Sequence, residues 1–165
     1  MKKVFLMLCL FGFVVNHSVY SQQSKWSEVS YSTNSGPVSP EYQYNYTIMI
    51  NNNGSAKLVY TKSSNTNEYD FTISKSDLKS LNGYLIRSKV LGLNSDDFKT
   101  NKKNLLGGPE RSMLITLWQS PELESKPPTV EIPKQIKKKY SENVLKLYGY
   151  IERLVPESVW KKAMN

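Results

Sequence analysis

Cysteine and histidine are almost absent from this sequence. Its 165 residues include one of each, Cys9 and His17. Both fall within residues 1–21, which have the layout of an export signal, so the chain left after removal of that segment would hold neither. Without thiol or imidazole it could form no disulfide, thiolate nucleophile, Ser-His-Asp triad, Cys/His zinc site or thiolate-held haem. Long apolar runs are missing too. The one charge-free block, Val4 to Val15, is shorter than the roughly 18–20 apolar residues a membrane-spanning helix needs.

What stands at the start is Met1-Lys2-Lys3, then the apolar block, then polar Asn16-His17-Ser18, with Val19 and Ser21 at small-residue cleavage positions. That order predicts a signal peptide over 1–21 and a secreted or periplasmic product. Cys9 invites a lipoprotein reading. However, bulky Leu8 directly precedes it and the run continues through Leu10, Phe11 and Val15, which argues against a lipid anchor. Removing 21 of 165 residues leaves 144, enough for a single domain over 22–165 with one hydrophobic core. Residues 22–41, polar and broken by Gly36, Pro37 and Pro40, are expected to be its least ordered part.

The net charge of +8 falls to +6 once Lys2 and Lys3 are removed, since 20 basic residues then face 14 acidic ones. Residues 134–165 carry most of that excess through Lys134, Lys137, Lys138, Lys139, Lys146, Arg153, Lys161 and Lys162. A solvated helix face explains such a patch most simply, and weak peripheral contact with an anionic lipid or polymer is the functional alternative. Nucleic acid is not an expected partner, because no helix-turn-helix, finger or aromatic RNA-binding signature accompanies the charge.

Periodicity gives the architecture. Trp26 to Tyr31 suits a short first strand. Tyr42, Tyr44, Tyr46, Ile48 and Ile50 then alternate with polar residues, and Asn53-Gly54 provides a tight turn before Ala56 to Thr61 returns, so a hairpin spans 42–61. Tyr69, Phe71 and Ile73 alternate as a third strand. At Ser74 the period changes. Ser74 and Asp77 have capping-box spacing, Ile73 and Leu78 are placed as a hydrophobic staple, and Leu78, Leu81 and Leu85 continue the stripe of a helix over about 75–91, with Gly92 suited to its end. Asn94 to Asn104 reads as an exposed connection. Met113 to Trp118 and Thr129 to Ile132 are further strands, the latter confined to an edge by Pro127-Pro128. Ile136, Tyr140, Val144, Leu147, Ile151 and Leu154 define a helix over about 134–154 that begins near Pro133 and stops near Pro156, with Glu152 on its outer side. One further turn would lay Trp160 back on the body. The expected fold is α+β: an antiparallel β-sheet packed on one face by two main helices.

Candidate sites follow from this layout. Glu122/Glu124 and Asp96/Asp97 are the nearest carboxylate pairs for glycoside hydrolysis, but solvation beside lysines explains both. Asn94, Asp96, Asp97 and Asn101 lack the alternating ligands and closing Glu of a calcium loop, so no metal is expected. Gly107-Gly108-Pro109 loses an N–H at Pro109 and leads into a strand, so it reads as a turn rather than a phosphate cradle, and no cofactor is expected. Tyr42, Tyr44 and Tyr46 are core if helices cover them, which alternation with Ile48 and Ile50 favours. If open, they offer flat amphipathic surface for a sugar or protein partner. The candidate binding surface is therefore Tyr42, Tyr44, Tyr46, Trp160 and the lysines 134, 137, 138, 139 and 146.

The segments FTISKSDLKSL, GGPERSMLITL and YGYIERLVPESVW resemble those of small secreted or periplasmic proteins of Bacteroidetes-type bacteria. That resemblance implies an envelope or extracellular location and a small α+β domain, and it transfers no functional residue. The function expected is that of an exported non-enzymatic domain binding an envelope or extracellular protein or glycan. A carboxylate-dependent glycan hydrolase and a basic module for anionic lipid or polymer are the alternatives.

Overall fold

The computed structural model describes residues 25–100, 108–120, 122 and 125–165. The expected signal segment with Cys9 and His17, and also Asn101, Gly107 and Glu124, lie outside the described residues. The fold is α+β: a six-stranded antiparallel sheet in the order β4-β3-β2-β1-β5-β6, flanked by helices on one face. Its strands are β1 (Trp26–Asn34), β2 (Tyr44–Asn51), β3 (Ser55–Lys62), β4 (Asn65–Thr72), β5 (Glu110–Leu117) and β6 (Thr129–Ile132).

The two-residue period places every second side chain under the helices. Strand register aligns those side chains into rows. Tyr69, Leu58, Ile48, Tyr31, Met113 and Ile132 form one row across all six strands, and Phe71, Ala56, Ile50, Val29, Ile115 and Val130 form the next. Both rows are buried in their central members. The opposite face of the sheet is mostly polar, with a Ser32–Thr47 hydroxyl pair at 2.9 Å and a Lys57–Glu68 ion pair at 2.6 Å, and it also carries Met49, Val59 and Leu114.

Segment 22–41 contains the central strand β1 rather than only loose chain, because Val29, Tyr31 and Thr33 meet inward-facing partners on both sides. The strand starting the hairpin begins at Tyr44, since Pro40–Tyr42 closes a 3-10 turn. At the next turn Gly54 has φ +94 and accepts the Ile73 N–H at 2.8 Å, so a side chain there would be strained and would crowd the Ile73 carbonyl. The polar stretch after Thr61 turns within Ser63-Ser64, and Asn65 already pairs with Lys62.

Helix α1 (Lys75–Arg87) starts at the Ser74 cap, whose Oγ accepts the Asp77 N–H at 3.1 Å. It ends before the expected residue 91. Ser88 closes it by donating its N–H to Tyr84 O and its hydroxyl to Leu85 O, and the left-handed residue that follows is Lys89 rather than Gly92. The connection after it is not simply exposed. It contains the one-turn helix α2 (Ser95–Phe98), capped by Asn94 and Asp97, and Phe98 is completely buried. Helix α3 (Lys138–Leu154) starts later than expected because Ile136 bridges to Lys99 and Lys137 donates its N–H to Phe98 O, which holds residues 136–137 extended and leaves Pro133 outside the helix. After Pro156 the chain forms α4 (Glu157–Met164). Leu81 and Leu85 of α1 join Val144, Leu147 and Ile151 of α3 in one core, and Tyr84 stacks on Tyr150 at 4.5 Å between the two helices. Among the described residues no helix is long and apolar enough to cross a membrane.

Candidate functional site

A third row lies beyond the two apolar ones, and its chemistry differs. Register lines up Tyr60 of β3, Tyr46 of β2, Thr33 of β1 and Arg111 of β5 on the helix-covered face. Helix α3 ends above this row. Tyr148 and Glu152 are one turn apart, so both project to the same side. The Tyr148 ring lies 4.8 Å from that of Tyr31, while Glu152 Oε1 accepts the Tyr31 hydroxyl at 2.6 Å and the Tyr46 hydroxyl at 2.9 Å. Arg111 Nε stands 4.0 Å from the same oxygen, at ion-pair distance without a hydrogen bond. Glu152, expected on the outer side of α3, therefore turns toward the sheet, because the row below offers it two phenols and a cation where its neighbours offer only apolar surface.

The break at Pro156 completes the site. It ends α3 and sends α4 back across the sheet, and Tyr69 donates its hydroxyl to Lys162 O at 3.0 Å to hold it there. The indole N–H of Trp160 satisfies the exposed carbonyl of Glu152 at 3.3 Å, one of the unpaired acceptors every helix leaves at its C-terminal end. The Trp160 ring meets Tyr46 edge-on, 5.0 Å away at 80°. Tyr44 lies nearly parallel to Tyr46 and to Tyr60, within 5° and 7°.

These rings border an open cleft of about 490 Å³ lined by Tyr44, Tyr46, Tyr60, Glu152, Trp160 and Met164. A second cavity of about 620 Å³ is lined by Tyr44 together with Gln43, Ser63, Ser64, Glu41, the Ser35-Gly36 turn and the row Asn34, Asn45 and Thr61, which faces the side of the sheet opposite the rings. Gly36 has φ +73, and its backbone packs against Gly108 so closely that a Cβ would fall 2.2 Å from the Gly108 carbonyl oxygen. That contact fixes the rim of the second cavity and assigns Gly108 a structural part.

Burial first, and then the Glu152 carboxylate, raise the Tyr31 hydroxyl well above the ordinary tyrosine range. Tyr46 is pushed up to about 12, chiefly by burial, with the Thr33 hydroxyl opposing and Glu152 reinforcing. Burial raises Tyr148 and Tyr60 as well. The phenols are accordingly neutral hydrogen-bond donors at any physiological pH.

Of the candidate surface residues, Tyr44, Tyr46 and Trp160 come together here. Tyr44 and Tyr46 are neither fully buried nor fully open: they are half-buried against the core with one side on the cleft. Tyr42 stays apart, 69% exposed on the 3-10 turn. The lysines go elsewhere. Lys134 pairs with Glu110, Lys146 pairs with Glu142 at 2.7 Å, Lys139 lies over the Tyr140 ring at 4.6 Å, and Lys137 and Lys138 are exposed at the start of α3. None of them lines either cavity. Asp96 pairs with Lys99 at 2.7 Å and Asp97 caps α2, while Glu122 is exposed. Among the described residues no three His, Cys, Asp or Glu side chains gather as a metal site.

Sequence reasoning missed Tyr60, Arg111, Tyr148 and Glu152. A signal was present: Thr33 and Arg111 occupy inward positions in strands whose other inward residues are apolar, which marks one row as polar. No family model matches the chain and no curated protein matches it, so what the cleft can hold follows from its own residues.

Proposed function

We propose that the chain is an exported, non-enzymatic domain that binds a protein or cell-envelope component, and that the cleft of Tyr44, Tyr46, Tyr60 and Trp160 is its binding surface. One observation carries this reading: four aromatic side chains from two strands and a helix border one open cavity, with Tyr46 held by the Glu152 carboxylate and Trp160 by the Glu152 carbonyl. Rings already oriented lose little conformational freedom when a ligand seats on them, which favours binding. The basic, apolar and polar order of residues 1–21 supports export. The resemblance to exported Bacteroidetes-type proteins supports an envelope setting.

Among the described residues Glu152 is the only carboxylate lining the aromatic cavity, whereas glycoside hydrolysis calls for two carboxylates facing each other across the sugar. Its oxygen holds two phenols in place, a positioning role. The basic-module alternative gains little support from lysines already engaged with Glu110, Glu142 and Tyr140.

The test is retention of material from the host envelope fraction by the purified full chain, compared with Tyr44→Ala and Tyr42→Ala proteins of matched thermal stability. Retention by the unaltered chain and Tyr42→Ala, with loss in Tyr44→Ala, is the expected result. Equal retention by all three would overturn the assignment of the cleft.

A further inference from the structure

We infer that the free edge of β4 takes an extended segment of a partner protein, one that alternates apolar and basic residues, as a further strand of the sheet. This surface is separate from the cleft, since no residue of β4 lines either cavity.

The two edges of the sheet are built differently. β6 is four residues long, stands between Pro127-Pro128 and Pro133, and donates its Glu131 N–H to Ser95 Oγ of α2 at 2.8 Å. Short length, proline and cover by another element are the usual ways in which a sheet edge is blunted. β4 has none of them. It runs for eight residues without proline, lysine or a register shift against β3. Helix α4 meets it through a side chain, Tyr69 donating its hydroxyl to Lys162 O, and among the described residues no backbone hydrogen bond occupies its outer side.

Register determines which groups are free. Ser63 and Ser64 have φ +49 and +78, both left-handed, so a two-residue turn joins β3 to β4, and at the far end the Ile73 N–H reaches Gly54 O at 2.8 Å. Antiparallel partners alternate between pairs that exchange both hydrogen bonds and pairs that exchange none. Counted from either end, Asn65, Asn67, Tyr69 and Phe71 bond to β3, whereas Thr66, Glu68, Asp70 and Thr72 turn their N–H and C=O groups outward. An extended segment bonds to such a row through its main chain, and its side chains decide which segment fits.

The side chains beside that row define the partner. Successive residues of an added strand lie alternately on the two faces of the sheet. On the helix-covered face they would adjoin Tyr69 and Phe71, half-buried rings packed against the core, which suits apolar residues. On the open face they would adjoin Glu68 and Asp70, whose side chains are 57% and 83% exposed and share one cation, Lys57, at 2.6 and 3.9 Å. Two carboxylates facing one amine leave negative charge along the edge, which favours Lys or Arg opposite it. A second copy of this chain does not fit. The central antiparallel registers that join the outward groups of two β4 strands set Glu68 opposite Glu68 or Asp70, or Asp70 opposite Asp70, and like charges directly opposite are destabilising.

The probe is a short peptide of alternating Val and Lys, titrated against the full chain, with a Val-Glu peptide for comparison. Hydrogen exchange of the backbone amides is followed with and without it. The expected result is that Glu68 and Asp70 exchange fast in the free chain and slow on adding the Val-Lys peptide, while Tyr69 and Phe71 are slow throughout. Asp70→Asn, which removes charge alone, should weaken binding about two- to fivefold. Asp70→Pro, which also removes an outward N–H but none bonded to β3, should weaken it at least about tenfold. Both variants are verified folded by thermal melting, and the exchange measurement on the unaltered chain stands without them. No binding, equal binding of the Val-Glu peptide, or binding that leaves Glu68 and Asp70 exchanging fast would overturn the proposal. A free chain that sediments as a dimer with those two amides already slow would assign the edge to a second copy instead.

Discussion

Tyr31 and Tyr46 donate to the same oxygen of Glu152, at 2.6 and 2.9 Å, from neighbouring strands of the sheet. The carboxylate thereby ties the end of α3 to both strands beneath it. Replacing it strands one buried phenol and one half-buried phenol. Glu152→Ala is expected to lower unfolding stability by about 1–3 kcal/mol, the usual cost of leaving a buried polar group unsatisfied. Glu152→Gln, which keeps a carbonyl acceptor, should lose less. Denaturant titration of the three proteins checks the order, and an alanine variant as stable as the parent would show that the shared oxygen contributes nothing.

The same phenols make the fold alkali-sensitive. A tyrosine titrates near 10 in the unfolded chain, whereas Tyr46 is held at about 12 in the folded one and Tyr31 is raised as well. The folded state thus keeps protons that the unfolded state releases. Stability from this difference is fully present below pH 10 and is lost as pH rises from about 10 toward 12 and beyond. Tyr31→Phe should flatten that decline. Midpoints measured between pH 8 and 12 decide the matter, and parallel curves for variant and parent would refute the linkage.

Ser64→Gly tests the strained turn. Relief of a left-handed non-glycine residue should raise stability by about 1 kcal/mol, read as a higher melting temperature.

Phe98 has no exposed surface and packs 5.0 Å from the Tyr140 ring. Phe98→Ala should cost about 3–5 kcal/mol. A loss below about 0.5 kcal/mol on denaturant titration, typical of a surface change, would mean that α2 is peripheral.

The alternation of Tyr44, Tyr46, Ile48 and Ile50 reveals both the strand and its covered side, because burial of one sheet face imposes that period directly. The Ser74 cap is equally readable, since capping depends on neighbours in sequence. Phe98 is not. Its burial comes from a bridge between Lys99 and Ile136, a contact far along the chain that no local pattern encodes. The same bridge delays α3, which is why a helical spacing beginning at Ile136 overstates that helix. The cleft lies between these cases. Its rings are visible as a tyrosine-rich strand, but their partner Glu152 is one of several charged residues on α3, and only the row beneath it distinguishes it from Arg153.

The position of β1 between β2 and β5 bears on how the chain acquires its structure. Strands β1 to β4 follow one another as a simple meander, yet the other edge of β1 waits for β5, and the Ser27 to Thr116 contact spans 89 residues. Closing such long-range pairs is slow compared with hairpin formation. A nascent chain therefore presents an unpaired edge at what will become the middle of its sheet, and the row that holds Thr33 beside Arg111 is finished only when the second half arrives.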